Sequence, residues 1–197
     1  MFEHTNVFRR SNLWNLYHTW YTNPQLNNGD NAAFHQHMPV LTTLCYNKHV
    51  VELGVRYGVS TVGILAGEPK SLISVDMVRY ETIDAIEELA HENQIDFSFI
   101  EANDLEIEIP ECDVLFIDTL HTYEQLRQEL TLHADKAREW IVMHDIVSFG
   151  LTDEELTNSD KRGLVPAIEE FLQDNPQWIS HAYWFNCNGL LILRRVS

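Results

Sequence analysis

The 197-residue sequence predicts an α/β sandwich around a mostly parallel sheet of seven strands. Three observations carry that expectation. Short apolar runs alternate with amphipathic helical stretches, which is the pattern of parallel strands joined by crossover helices. The apolar runs end on polar residues, at Glu52, Asp76, Asp118 and the His144-Asp145 pair. The last two strand-like stretches flank Asn186-Cys-Asn-Gly189, a turn that glycine permits, so a C-terminal hairpin adds one antiparallel strand to the sheet.

Residues 1–46 are expected to form a helical segment lying over the site. Leu13, Trp14, Leu16, Tyr17 and Trp20 are spaced for one helix face, and Asn27-Asn-Gly-Asp30 breaks it. A second helix is expected at Met38-Pro-Val-Leu41 with Leu44, its proline in the first turn. These aromatics either cover a ligand or simply pack on the sheet.

The central stretch is Val50 to Thr61. An apolar strand closes on Glu52, turns through Gly54 and Gly58, and enters an apolar helix over residues 60–66. A strand, glycine turn and helix start in that order present free N–H groups to a ligand. The spacing is neither G-x-G-x-x-G nor G-x-x-x-x-G-K-[ST], which weakens a dinucleotide or nucleotide-sugar reading. Next, Ser71-Leu-Ile-Ser-Val-Asp76 reads as a buried strand. Its terminal acid follows the glycine turn by about twenty residues, where a ribose ligand is expected. A helix over 81–92 and a strand over 97–100 lead to Asn103-Asp104.

Cys112-Asp-Val-Leu-Phe-Ile-Asp118 is the clearest buried strand, and Thr122-x-x-Gln125 then resembles a capping box. Leu126, Leu130, Ala134 and Ala137 are expected on one side of the helix that follows, with His121 just ahead of it. A fifth strand covers 140–145. The stretch 146–163 lacks apolar period, carries Asp153, Glu154, Glu155 and Asp160, and is expected to be a lid. A helix over 164–174 with Pro166 in its first turn precedes the hairpin strands at 178–185 and 190–195.

Composition narrows the function. The length suits one domain spanning 1–197, and no linker divides it. A formal charge of −17 disfavours nucleic acid and anionic membranes and suits a neutral or cationic small molecule. Cys45, Cys112 and Cys187 are isolated, which supports neither a disulfide framework nor a C-x-x-C zinc site. The N-terminus shows no charged leader followed by an apolar run. A reducing cytoplasm is the expected location.

Val-Glu-Leu-Gly-Val-Arg-Tyr-Gly-Val-Ser-Thr, Phe-Ile-Asp118-Thr-Leu-His121-Thr-Tyr-Glu and His144-Asp145 together resemble the class I S-adenosylmethionine-dependent methyltransferases, which have a Rossmann-like sandwich. The likeness spans about residues 38–195. It points to small O-methyltransferases near the macrocin and catechol types. It implies S-adenosylmethionine as cofactor, bound by Glu52, Gly54, Arg56, Tyr57, Gly58, Ser60, Thr61, Asp76, Met77, Asn103, Asp104 and Asp118. Arg56 either holds a carboxylate of the cofactor or substrate or pairs with a surface acid. The resemblance further implies a divalent ion, magnesium or manganese, on Asp118 and Asp145, with His144 standing where relatives carry an acid. A histidine there weakens a magnesium site, favours a softer metal, or leaves the ion out. His121 falls at the general-base position, with Asp118 beside it as the second catalytic residue. The implied partner is a small-molecule acceptor such as a sugar or secondary metabolite, and a homodimer is allowed for. A cofactor-binding protein without transfer chemistry is the alternative.

Overall fold

The computed structural model describes residues 3–154 and 162–196, and side chains from Asn12 onward apart from Asn28. Seven strands form one sheet in the order β3-β2-β1-β4-β5-β7-β6. They are β1 (His49–Leu53), β2 (Ser71–Asp76), β3 (Asp96–Glu101), β4 (Cys112–Ile117), β5 (Ala137–His144), β6 (Trp178–Trp184) and β7 (Leu190–Arg195). The first five pair in parallel, and β7 runs antiparallel to both β5 and β6. The order doubles back at β1, so β1 and β4 diverge at a topological switch point where a crevice opens.

Alternation along the strands sends side chains to two separate cores. Val50 of β1, Val114 and Phe116 of β4, and Val142 of β5 pack with α1 (Glu3–Thr22), α3 (Met38–Leu44), α4 (Val59–Ala66) and α5 (Glu81–Glu92). Val51 and Leu53, Leu115 and Ile117, and Ile141 and Met143 face the other way, onto α6 (Tyr123–His133) and α7 (Leu164–Asp174). Every residue of α4 is buried, because this short helix lies between the sheet and the N-terminal segment.

The N-terminal expectation divides by residue. Leu13 and Trp20 are buried, Leu16 and Tyr17 pack at the edge of the core, and Trp14 is exposed. The break at Asn27–Gly29 is a 3-10 turn that leads into a further short helix, α2 (Asp30–Phe34), before α3. That extra helix carries Asp30 and Phe34 to the crevice.

Three local expectations need correction. Helix α6 stops at His133, and Ala137 begins β5 rather than continuing the helical stripe. Thr122 does cap α6, its Oγ1 accepting from the Gln125 N–H at 3.2 Å. The return half of the box is missing, because the Thr122 N–H donates to the Leu120 carbonyl at 2.9 Å while Gln125 Nε2 donates to Glu129 Oε1 at 2.8 Å. The 146–163 stretch is not free of packing where it is described. Ile146 and Asp153 are buried, Phe149 lies against the α6–α7 core, and Thr152 bridges to Arg162. Residues 155–161 of the expected lid lie outside the described residues. No helix among the described residues is long and apolar enough to cross a membrane.

Candidate active site

The crevice at the carboxyl ends of β1, β2 and β4 holds a cavity of about 680 Å³. Its geometry starts at the glycine turn. Gly54 has φ +82, and a Cβ there would sit 2.0 Å from the Asp118 backbone oxygen. Glycine is therefore required because the turn closes against the end of β4, where the Asp118 N–H also donates to Leu53 O at 2.8 Å. Gly58, φ +84, would place a Cβ 2.4 Å from Ile86 Cδ1, so it serves the packing of α4 on α5.

Glu52 lies beneath this turn with no exposed surface. Its carboxyl accepts from Ser60 Oγ at 2.5 Å, Thr61 Oγ1 at 2.8 Å and Ser74 Oγ at 2.5 Å. Burial pushes its pKa up to about 7 against the pull of those three hydroxyls. Glu52 and Thr61 thus brace the turn from below. Tyr57 packs on Tyr80, ring centroids 4.9 Å apart, and it is Tyr80 that lines the cavity. Of the twelve expected cofactor contacts, Glu52, Tyr57, Gly58 and Thr61 lie behind the cavity wall. The other eight, Gly54, Arg56, Ser60, Asp76, Met77, Asn103, Asp104 and Asp118, line it.

Asp76 is partly committed to the protein itself. Its Oδ2 accepts from the Val55 and Arg56 N–H groups, both at 2.8 Å, and Oδ1 accepts from the Val78 N–H at 3.0 Å. Each carboxylate oxygen has two lone pairs, so Oδ1 retains one acceptor position. Arg56, φ +50, extends outward and pairs with Asp30 of α2 at 2.8 Å. Among the alternatives for Arg56, the structure has the acid pair, and that pair ties the N-terminal segment to the turn.

At the other end of the cavity, three acids converge on one histidine. His121 Nε2 lies 2.9 Å from Asp145 Oδ2 and 3.2 Å from Asp118 Oδ1, and Nδ1–H donates to Glu154 Oε2 at 2.7 Å. Asp30 completes this acidic wall. Phe149 stacks on the imidazole at 4.8 Å and 6°. Burial opposes a charge on His121, yet the hydrogen bonds to Asp118 and Asp145 outweigh it and raise its pKa to about 11. Burial pulls the Asp118 carboxyl up, but the charge of His144, followed by the hydrogen bond to His121, holds it below the usual carboxylate range. In this arrangement His121 is an imidazolium clamp between carboxylates. A freely titrating base near pKa 6.5 is not what these contacts give.

The donor set also fits a metal ion. One atom each from Asp118, His121 and Asp145 lies within 4.8 Å of the others. His144 Nε2–H donates to the Cys187 carbonyl at 2.8 Å, which turns Nδ1 toward Asp118 Oδ2 at 3.3 Å. His144 Nδ1 and Asp145 Oδ1 are buried without a hydrogen-bond partner among the described residues. Asp145 also holds φ +60, a left-handed conformation, with its Oδ2 lying 2.9 Å from His121 Nε2 and 3.6 Å from His144 Nδ1. Two carboxylates with one or two imidazoles suit manganese or zinc better than magnesium.

Four contributors escaped sequence reasoning: Asp30 and Phe34 on α2, Glu154, and Glu129 on α6. Phe34 packs edge-on against His144 at 4.8 Å and so orients it. Glu154 lay in the stretch expected to close over the site, and Glu129 had a signal on its own helix. Glu129 stands between Leu126 and Leu130 on the helix face expected to be buried.

Residues 51–146 match the family model described as a methyltransferase domain. The fold is shared with several solved structures at low identity. A magnesium protoporphyrin IX methyltransferase from Synechocystis PCC 6803 with bound S-adenosylhomocysteine is 14% identical, covering 98% of this chain and 100% of that one, with a TM-score of 0.66. A 1,6-didemethyltoxoflavin-N1-methyltransferase from Burkholderia thailandensis, bound to 1,6-didemethyltoxoflavin and S-adenosylhomocysteine, is 15% identical over 95% and 87%, with a TM-score of 0.63. An O-methyltransferase from Bacillus cereus with the same product is 12% identical over 95% and 90%, with a TM-score of 0.57. No curated protein matches the chain in sequence. The fold is that of the class I S-adenosylmethionine-dependent methyltransferases, and the matched segment contains the glycine turn, Asp76, Asp118 and His144-Asp145.

Proposed function

We propose that this chain is an S-adenosylmethionine-dependent methyltransferase acting on a hydroxyl of a small molecule such as a sugar or secondary metabolite. One observation carries the reading. A single cavity runs from a glycine turn with a carboxylate at the ribose distance to a wall of acids around a histidine. The first end suits a nucleoside cofactor. Ribose hydroxyls can donate to the free position on Asp76 Oδ1, and the adenine then extends past the end of β3 toward Asn103 and Asp104. The solved structures that hold S-adenosylhomocysteine include both an N1- and an O-methyltransferase, so fold leaves the acceptor atom to the wall chemistry.

That wall favours an acceptor of neutral or positive charge. Asp30, Asp118, Asp145 and Glu154 face it, and Arg56, the one guanidinium among the described lining residues, is itself paired with Asp30. A sulfonium donor is already activated, so the protein has to align it and remove a proton from the acceptor oxygen. A divalent ion, if held by Asp118, Asp145 and His144 Nδ1, would supply Lewis acidity that lowers the hydroxyl pKa and would leave His121 as the base. With those carboxylates engaged, His121 would lose the contacts that hold its Nε2 proton and would release that proton to solvent, leaving Nε2 able to accept the proton of the acceptor hydroxyl. This reading keeps the link to the macrocin and catechol types. The second reading, a cofactor binder without transfer, draws on the imidazolium state of His121.

Incubation with methyl-labelled S-adenosylmethionine, an acceptor panel and manganese, magnesium or zinc separates the two. The first reading expects label transfer that His121→Ala lowers by about 10²- to 10⁴-fold with cofactor affinity nearly unchanged. Cofactor binding with no transfer to any acceptor under any metal supports the second.

A further inference from the structure

Glu129 has no exposed surface, and it lies on α6 directly behind Asp104, which lines the cavity. Its two oxygens are treated differently. Oε1 accepts from Thr119 Oγ1 and from Gln125 Nε2, the latter at 2.8 Å. Oε2 is buried with no partner among the described donors. A buried carboxylate oxygen without a donor is costly as an anion, whereas a protonated oxygen is itself a donor and needs only an acceptor. Asp104 is the neighbouring carboxyl, tied to Glu129 through Gln125 Nε2, which donates to Glu129 Oε1 at 2.8 Å and reaches Asp104 at 3.4 Å, and burial together with the Asp104 charge drives Glu129 to keep its proton. Gln125 Nε2 also reaches both Asp104 oxygens at 3.4 Å, and His133 Nε2–H donates to the Asp104 carbonyl at 2.9 Å. Helix α6 therefore grips Asp104 by both its side chain and its backbone. The remaining ionisable groups near Glu129 are Asp118, His121 and His144, across a void of about 10 Å³.

We infer that Glu129 is a protonated positioning residue, which holds the Asp104 carboxylate so that its cavity-facing oxygen accepts a hydrogen bond from the exocyclic amine of the cofactor's adenine. This rests on the cofactor reading above. Glu129 touches no ligand; it acts through Asp104. Discrimination in favour of an amino-substituted purine is the property it confers.

The test is calorimetric binding of S-adenosylhomocysteine and of its analogue with hydrogen in place of the 6-amino group, to wild type, Glu129→Gln and Glu129→Leu. Wild type should prefer S-adenosylhomocysteine by about tenfold or more, the effect of one buried hydrogen bond to a charged acceptor. Glu129→Gln keeps a donor and should keep the preference, while Glu129→Leu should reduce it to within about threefold. A full preference in folded Glu129→Leu overturns the inference and leaves the cofactor reading intact. No binding of S-adenosylhomocysteine by wild type overturns both. Should Glu129→Leu not fold, the infrared difference between wild type and Glu129→Gln at neutral pH decides. The inference expects a protonated-carboxyl stretch lost in the variant, and its absence from wild type contradicts the inference.

Discussion

At the scale of single residues, the balance of charge around His121 decides what the site can do. Its pKa is raised from 6.5 to about 11 by Asp118 and Asp145, so folding gains from its protonation. The sign follows from linkage. That contribution is fully present below pH 6.5 and is lost as pH rises toward 11. Asp118 is shifted the opposite way and stays ionised throughout this window. Urea unfolding of wild type and His121→Gln across the window should show the stability gap closing as pH rises. A gap that stays constant or widens contradicts the clamp. The cysteines also lower stability at high pH, since burial pushes Cys112 up to about 12, but they act equally in both proteins. Asp76 belongs to the same scale. Asp76→Ala removes the acceptor for the Val55 and Arg56 N–H groups together with the proposed ribose contact. Cofactor-product binding should weaken by about 1–3 kcal/mol, measured by calorimetry.

Among the elements, the turn between β1 and α4 is where sequence and geometry are most tightly bound. Gly54 and Gly58 are both left-handed, and each has no room for a Cβ. At Gly54 the obstruction is backbone, which cannot swing aside as a side chain can. Gly54→Ala should therefore destabilise the fold by about 2 kcal/mol or more, read as a fall in thermal midpoint, with cofactor affinity falling alongside. An alanine variant of unchanged midpoint would mean that β1 and β4 do not meet as described. The hairpin turn after β6 is a second such element. Cys187, Asn188 and Gly189 are consecutively left-handed, and the Cys187 carbonyl receives His37 and His144 while that of Asn188 receives the Val147 N–H. The turn thereby fixes His144 from outside the sheet.

For the whole molecule, stability should be linked to ligand. A ligand that binds only the folded chain stabilises it by about 2.7 kcal/mol at a hundred times its Kd, so S-adenosylhomocysteine should raise the thermal midpoint in a concentration-dependent way. Adenosine alone should do so less, since it lacks the part that reaches the glycine turn. The architecture behind this was largely legible in the chain. Buried apolar runs marked β1, β2 and β4, the turn at Asn186-Cys-Asn-Gly189 marked β7, and proline in the first turn marked α3 and α7. Acids at strand ends were legible because strands end where the crevice opens. What stayed hidden depended on contacts distant in sequence. Nothing near Asp30 announces that it meets Arg56. Glu52 reads like a ligand contact until Ser60, Thr61 and Ser74 are seen to enclose it. His121 reads like a general base near its ordinary pKa until three carboxylates from the ends of β4 and β5 and the following loop converge on it.

The central claim is that one cavity binds a nucleoside cofactor through the glycine turn and the acid that ends β2. The most direct test is calorimetric titration of purified protein with S-adenosylhomocysteine, repeated on Asp76→Ala. One saturable site per chain is expected in wild type, with a clear loss of affinity in the variant. Wild-type protein that takes up no S-adenosylhomocysteine, or a variant that binds it as tightly as wild type, would contradict the claim.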